Sequence, residues 1–97
     1  MPEPFTGTLP ERFPDRGYFK VGDGYLSSRS YKAEIRAIQV FLNWALKDID
    51  GSRKLSIDGL YGGHTRAMTR LFQETKGLDA NGCFGRKCLA KAKEMIY

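Results

Sequence analysis

Hydrophobic positions three and four residues apart predict three helices along the chain. The predicted helices cover about residues 30–47, about 64–76 and about 86–96. Ser30 is the expected N-cap of the first helix, with Glu34 in its first turn. The expected core residues of the first helix are Tyr31, Ile35, Ile38, Leu42, Ala45 and Ile49.

The second and third helices have narrower apolar stripes, typical of helices with one face in a core. Gly77, followed by Leu78, occupies the position of the left-handed residue that commonly ends a helix, here the second one. The stripe residues are Met68, Leu71, Phe72 and Thr75 in the second helix, and Cys88, Leu89, Ala92, Met95 and Ile96 in the third.

Two related strings precede the second and third helices. Asp58-Gly59-Leu60-Tyr61-Gly62 aligns position by position with Asn81-Gly82-Cys83-Phe84-Gly85. An Asx-Gly pair favours a tight turn, and the aromatic residue is expected to fill the core beside the helix start. The predicted fold is therefore all-α, a compact three-helix bundle with a repeated Asx-Gly-x-aromatic-Gly turn.

The first helix has a second apolar stripe that ends at Trp44. At about 100° per residue this stripe lies well away from the predicted core face. Its members are Ala33, Ala37, Val40 and Trp44. Either Tyr18-Phe19 or the loop at 25–30 packs over it, or Trp44 is exposed and stacks on a sugar or a partner.

The N-terminal residues differ in character from the rest of the chain. All four prolines lie within the first fourteen residues, so residues 1–16 are predicted to be an extended linker and residues 17–97 the compact domain. Phe5, Leu9 and Phe13 give the linker apolar side chains that can dock on the domain.

Length and charge limit the function classes. A chain of 97 residues makes one domain, and 41% hydrophobic residues exclude a disordered chain. No apolar stretch is long enough for a membrane span, and residues 1–4 do not resemble a signal peptide. Lys and Arg number 16 against 11 Asp and Glu, which favours anionic partners such as nucleic acid, acidic wall polymers or carboxylate ligands.

Candidate catalytic and metal-binding groups are few. Cys83 and Cys88 have the spacing of neither a Cys-x-x-Cys pair nor a disulfide framework, and zinc with His64 would lack a fourth ligand. Asp48, Asp50 and Asp58 lack the spacing of a calcium loop. The sequence therefore predicts no enzyme, no cofactor and no metal in this chain.

Four short strings together carry a family resemblance over about residues 31–93. They are Ile38-Gln39-x-x-Leu42-Asn43-Trp44, Ile57-Asp58-Gly59-Leu60-Tyr61-Gly62-x-x-Thr65, Leu71-Phe72-Gln73 and Gly77-Leu78-x-x-Asn81-Gly82-x-Phe84-Gly85. In combination they resemble the peptidoglycan-binding domain, a three-helix module of bacteriophage endolysins and bacterial N-acetylmuramoyl-L-alanine amidases. Two insertions, at 25–30 and 50–54, depart from the family pattern.

The resemblance implies a non-catalytic module that targets a peptidoglycan hydrolase to the bacterial cell wall. It implies peptidoglycan or another anionic wall polymer as ligand, and a catalytic domain before the linker at 1–16. The location would be the wall, reached outside the cell or after release from the host cytoplasm at lysis. No membrane partner is implied.

The expected ligand groove lies where the first turn meets the start of the second helix and the second turn. Glycines there allow close approach to the backbone, and helix N-termini suit carboxylates. The candidate ligand-binding residues are Tyr61, His64, Arg66, Arg70, Asp58, Asn81 and, separately, Trp44. Open alternatives are that Tyr61 is a core residue, that Asp58 and Asn81 only form the turns, and that Gln39 and Gln73 bond to backbone rather than to ligand.

A helix-turn-helix that binds nucleic acid is the alternative interpretation. The basic pairs Arg66/Arg70 and Lys87/Lys91 permit it. However, the connection from Gly77 to Gly85 is longer than the usual turn of three or four residues, and that motif has no need for the repeated turn. Wall binding is therefore the preferred prediction.

Overall fold

The computed structural model describes residues 4–25 and 30–96. Its elements, in chain order, are β1 (Tyr18–Phe19), α1 (Lys32–Ala45), α2 (Gly63–Thr75), β2 (Phe84–Gly85) and α3 (Arg86–Ile96). The three predicted helices are confirmed, and the chain is mostly helical.

The expectation of a purely helical fold is wrong, because β1 and β2 form an antiparallel pair. Tyr18 lies opposite Gly85, and Phe19 lies opposite Phe84. Both phenylalanine side chains are completely buried. Extended pairing lets the backbone of these segments satisfy its hydrogen bonds while the two rings enter the core.

The start of α1 also differs from the expectation. Tyr31 is its N-cap and makes no side-chain capping bond, so Ser30 is not the cap. Ser30 and Tyr31 form a short 3-10 turn instead, and the Ser30 carbonyl accepts a 2.7 Å bond from the Arg12 guanidinium. At the end of α2 the amides of Gly77 and Leu78 bond back into the helix, at 3.3 and 2.8 Å, in the predicted manner.

Phe41, on α1, lies at the centre of the core. Its ring meets the rings of Phe72 and Phe84 edge to face, at centroid distances of 5.3 and 6.5 Å. The predicted core residues Ile35, Ile38 and Leu42 are completely buried as well. Ile49 is 37% exposed, contrary to expectation, because α1 ends at Ala45 and the helical spacing no longer applies.

The N-terminal segment covers the Trp44 end of the second apolar stripe of α1, whereas Ala33 and Val40 of the stripe are exposed. The ring of Phe5 packs against Phe41 at 5.7 Å and against Trp44 at 5.3 Å. Of the predicted covers, Phe19 is a completely buried core residue, and positions 26–29 of the loop lie outside the described residues. Trp44 is half-buried and is not an open stacking platform.

Further along the same segment, Pro10 and Pro14 are buried and Phe13 packs against Phe19, with ring centroids 5.3 Å apart. Arg12 holds the segment to α1 by its bond to Ser30 and an exposed contact to Glu34 at 3.4 Å. Part of the segment predicted as a linker thus packs against the helices.

Candidate functional site

Gln39, a buried residue of α1, holds the first turn. Its side-chain nitrogen donates to Oδ1 of Asp58 at 3.0 Å and to the carbonyl of Leu60 at 3.1 Å. Its side-chain oxygen accepts the amide of Gly59 at 3.0 Å. Oδ1 of Asp58 also accepts the amide of Leu60, at 2.9 Å. These bonds use the polar atoms of Gln39 for structure rather than for a ligand.

Gln73, on α2, bonds to the second turn. Its side-chain nitrogen donates to Oδ1 of Asn81 at 3.0 Å and to the carbonyl of Cys83 at 2.9 Å. Its side-chain oxygen accepts the amide of Gly82 at 2.9 Å. Oδ1 of Asn81 accepts the amide of Cys83, also at 2.9 Å. Of the two interpretations of the glutamines, backbone bonding is the one observed.

The two turns require glycine. Gly59 and Gly82 have φ angles of +75° and +79°, which side chains rarely tolerate. A Cβ atom on Gly82 would lie 2.6 Å from Cγ of Arg66 and 3.1 Å from Cγ of Arg70. Both arginine stems therefore pack directly over the second turn.

Tyr61 connects the two turns from inside the core. Its side chain is completely buried, and burial raises the pKa of its hydroxyl. The hydroxyl lies 2.7 Å from Oγ1 of Thr69 and donates to the carbonyl of Gly82 at 2.9 Å. Tyr61 therefore offers no stacking face, and it occupies the core position that the sequence analysis left open as the alternative to ligand binding.

Asp58 stays ionised at neutral pH. Burial alone would raise the pKa of its carboxyl group, but the amide of Leu60 and the side chain of Gln39 stabilise the charged form, and Lys32 adds a nearby positive charge. The net effect is a pKa below the ordinary value of 3.8. Asp58 is exposed, so its negative charge faces solvent at the turn.

An open cleft of about 330 Å³ lies at the first turn, and we call it the first cleft. Tyr25, Asp58 and His64 line it together with Gly62 and Gly63. α2 begins here at Gly63 without a side-chain capping bond. Its first amides, which have no partner within the helix, are therefore available to an anionic group.

A larger cleft of about 550 Å³, the second cleft, lies at the second turn. Tyr18 of β1, Leu78 and Asp79 line it, together with Arg86 and Lys87 at the start of α3. The sequence prediction put Asn81 and the second turn in a single groove with the first turn, and it missed Tyr18, Arg86 and Lys87 as site residues. The position-by-position alignment of the two turn strings was the signal that could have indicated a separate second site.

The candidate residues therefore do not form one site. Asp58 and His64 share the first cleft, Asn81 lines the second, and Arg66 and Arg70 cover the second turn from α2. Tyr61 lies buried between the turns, and Trp44 is apart from both, beneath Phe5.

Cys83 and Cys88 are free thiols, and burial raises the pKa of Cys88. Within residues 4–25 and 30–96, no group of three or more His, Cys, Asp or Glu side chains has the arrangement to hold a metal ion. In the same part of the chain, no helix is long and apolar enough to cross a membrane.

The chain matches no protein-family model, no curated protein and no solved structure. The function of the two clefts is therefore indicated by the chemistry of their lining residues and by the sequence strings that form the turns.

Proposed function

We propose that the chain is a non-catalytic module that binds peptidoglycan, or another anionic polymer of the bacterial cell wall. In this role it targets a peptidoglycan hydrolase, such as a phage endolysin or an autolytic amidase, to its substrate. The observation that carries the proposal is the first cleft, where α2 begins uncapped beside His64. Unpaired helix amides and an imidazole donor suit the carboxylates of a stem peptide.

We further propose that the two turns are copies of one structural unit. In each, an Asx side chain accepts the amide two residues later, and a glutamine from a preceding helix bonds to both sides of the turn. In this unit the glutamine and Asx side chains of the strings that resemble the peptidoglycan-binding domain stabilise the fold. Ligand choice then depends on the side chains around the clefts.

The arginine pair on α2 supports an anionic ligand. Arg66 and Arg70 are one helical turn apart and exposed, and no acidic side chain of the described residues forms an ion pair with either. Like charges at this spacing destabilise a helix by about 0.2–0.5 kcal/mol. An anionic polymer lying across α2 would relieve that repulsion and bind by charge-assisted hydrogen bonds.

Retention on purified cell-wall sacculi tests the proposal. The parent chain should be retained at low salt and released as salt increases, because exposed charges are screened beyond a Debye length of about 8 Å at physiological ionic strength. His64→Ala and the pair Arg66→Gln/Arg70→Gln should be retained less. The pair Lys47→Gln/Lys54→Gln, which removes the same charge from a region outside both clefts, is the control.

Two results would contradict the proposal. One is no retention of the folded chain on sacculi, together with a shift of duplex DNA in a gel, which would favour the helix-turn-helix alternative. The other is lysis by the chain alone, seen as loss of turbidity of susceptible cells or as release of reducing sugar from purified walls. That result would show a catalytic site.

A further inference from the structure

The second cleft corresponds to the first in its place on the turn. Gly62 and Gly85 occupy equivalent positions, as do Gly63 and Arg86, and His64 and Lys87. Each cleft thus opens where a turn leads into a helix. The volume of the second cleft, about 550 Å³, lies within the range of roughly 300–1,000 Å³ typical of ligand sites.

The second cleft differs from the first in charge. It has Arg86 and Lys87 where the first cleft has a glycine and a histidine, and both cations are exposed. In residues 4–25 and 30–96, neither cation has an ion-pair partner. Asp79 is the acidic residue of the second cleft, so the cations outnumber the carboxylate.

Phe13 of the N-terminal segment lies outside the second cleft and restrains one of its cations, which also lines a neighbouring cleft beside Glu11. The guanidinium of Arg86 lies over the ring of Phe13, 5.1 Å from its centroid. Stacking restrains the plane of the group and leaves its N–H donors free for an anion. On the side of β1, Tyr18 is 38% exposed and gives the cleft an aromatic edge, while Leu78 adds an apolar surface.

We propose that the second cleft is a second ligand site, which takes a carboxylate-bearing peptide. Arg86 binds the carboxylate through two parallel hydrogen bonds, Lys87 adds a point charge, and Tyr18 and Leu78 contact the apolar part of the peptide. The identification of that peptide as a wall stem peptide rests on the proposed function. With both clefts occupied, one module holds two stem peptides of a polymer and gains avidity without any new contact.

Titration with a purified disaccharide-tetrapeptide from digested peptidoglycan tests the second site. NMR amide shifts are expected at 81–88 as well as at 58–65, and calorimetry should give a stoichiometry of about two. In Arg86→Gln/Lys87→Gln the shifts at 81–88 should disappear and the stoichiometry should fall to about one. Lys47→Gln/Lys54→Gln should behave as the parent. Lys87→Gln alone, which keeps the Arg86–Phe13 contact, should weaken binding at 81–88 and leave the thermal midpoint unchanged.

The outcomes separate the two proposals. Shifts confined to 58–65 with a stoichiometry of one would overturn the second site and leave the wall-binding proposal standing. Absence of shifts at both clefts, with no retention on sacculi, would overturn both proposals. An equal loss of binding in the control pair would show a general charge effect and would also overturn the second site.

Discussion

Replacing Tyr61 with phenylalanine tests the inference that this residue of the first turn stabilises the fold by a hydrogen bond to the second turn. Tyr61→Phe keeps the buried ring and removes only the hydroxyl, which contacts Thr69 and the Gly82 carbonyl. If Tyr61 is a structural residue, the substitution should lower the free energy of unfolding. Ligand affinity of the folded protein should not change.

The expected loss in free energy of unfolding follows from the hydrogen bonds that the Tyr61 and Thr69 hydroxyls make. Two hydroxyl hydrogens, of Tyr61 and Thr69, serve three contacts, because Oγ1 of Thr69 also lies 2.8 Å from the carbonyl of Thr65. The Thr69 hydroxyl donates to that carbonyl, whose second lone pair is not used by the i+4 amide, and the Tyr61 hydroxyl donates to the carbonyl of Gly82. Tyr61→Phe then leaves the buried Gly82 carbonyl without this donor, which costs about 1–3 kcal/mol.

Urea unfolding, followed by circular dichroism, measures this cost. For a domain of this size, 1 kcal/mol corresponds to about 4–8 °C in thermal midpoint. Thr69→Val is the matched variant and should cost less, about 1 kcal/mol, since the Gly82 bond remains. A free energy of unfolding for Tyr61→Phe within about 0.5 kcal/mol of the parent, the range of ordinary surface substitutions, would refute the reasoning. Normal stability with lost wall binding would instead return Tyr61 to the ligand site.

Three further variants test other features. Asp58→Asn keeps the Oδ1 acceptor and should fold normally. The pKa of Asp58 is lowered in the folded state, so its charge stabilises the fold above the ordinary pKa of 3.8. This stabilisation is lost as the pH falls through the pKa of the folded state. When the pH is lowered from about 7 to about 2, the urea midpoint should therefore fall less in Asp58→Asn than in the parent. Replacing Cys83 with serine and Cys88 with alanine should cost about 1–2 kcal/mol. Unfolding of the parent on reduction, or bound zinc, would contradict this. Phe5→Ala should expose Trp44, move its fluorescence to longer wavelength and cost under about 3 kcal/mol; unchanged emission would show that Phe5 does not cover it.

Helical spacing predicted the helices of this fold well, and it failed where a helix packs on more than one side. Phe41 lies outside the predicted stripe of α1 and yet is the central core residue, because Phe72 and Phe84 pack on that side of the helix and Phe5 covers it. The spacing also predicted Ile49 as a core residue of the first helix, although α1 ends before it at Ala45. Periodicity cannot reveal a cover provided by a distant part of the chain.

The candidate site was harder to predict because buried polar residues look like exposed ones in a sequence. Gln39, Thr69 and Gln73 are buried and bonded within the protein, and nothing in their spacing separates them from ligand-binding residues. The strings that carry the family resemblance combine Gln39 and Gln73 with apolar core residues and the glycines of the turns. They therefore indicate a fold more directly than they indicate a ligand.

The pairing of β1 with β2 has a consequence for the order of folding. Each turn is hydrogen-bonded to a glutamine at a moderate sequence separation. Gln39 precedes Asp58 by 19 positions, and Gln73 precedes Asn81 by 8 positions. The strand pair, in contrast, joins segments separated by α1, the first turn and α2, so it closes a far longer loop at a larger entropic cost. We therefore expect the turns and helices to assemble first, and β1 to dock afterwards together with the N-terminal segment. Interactions formed that late control how fast the protein unfolds rather than how fast it folds.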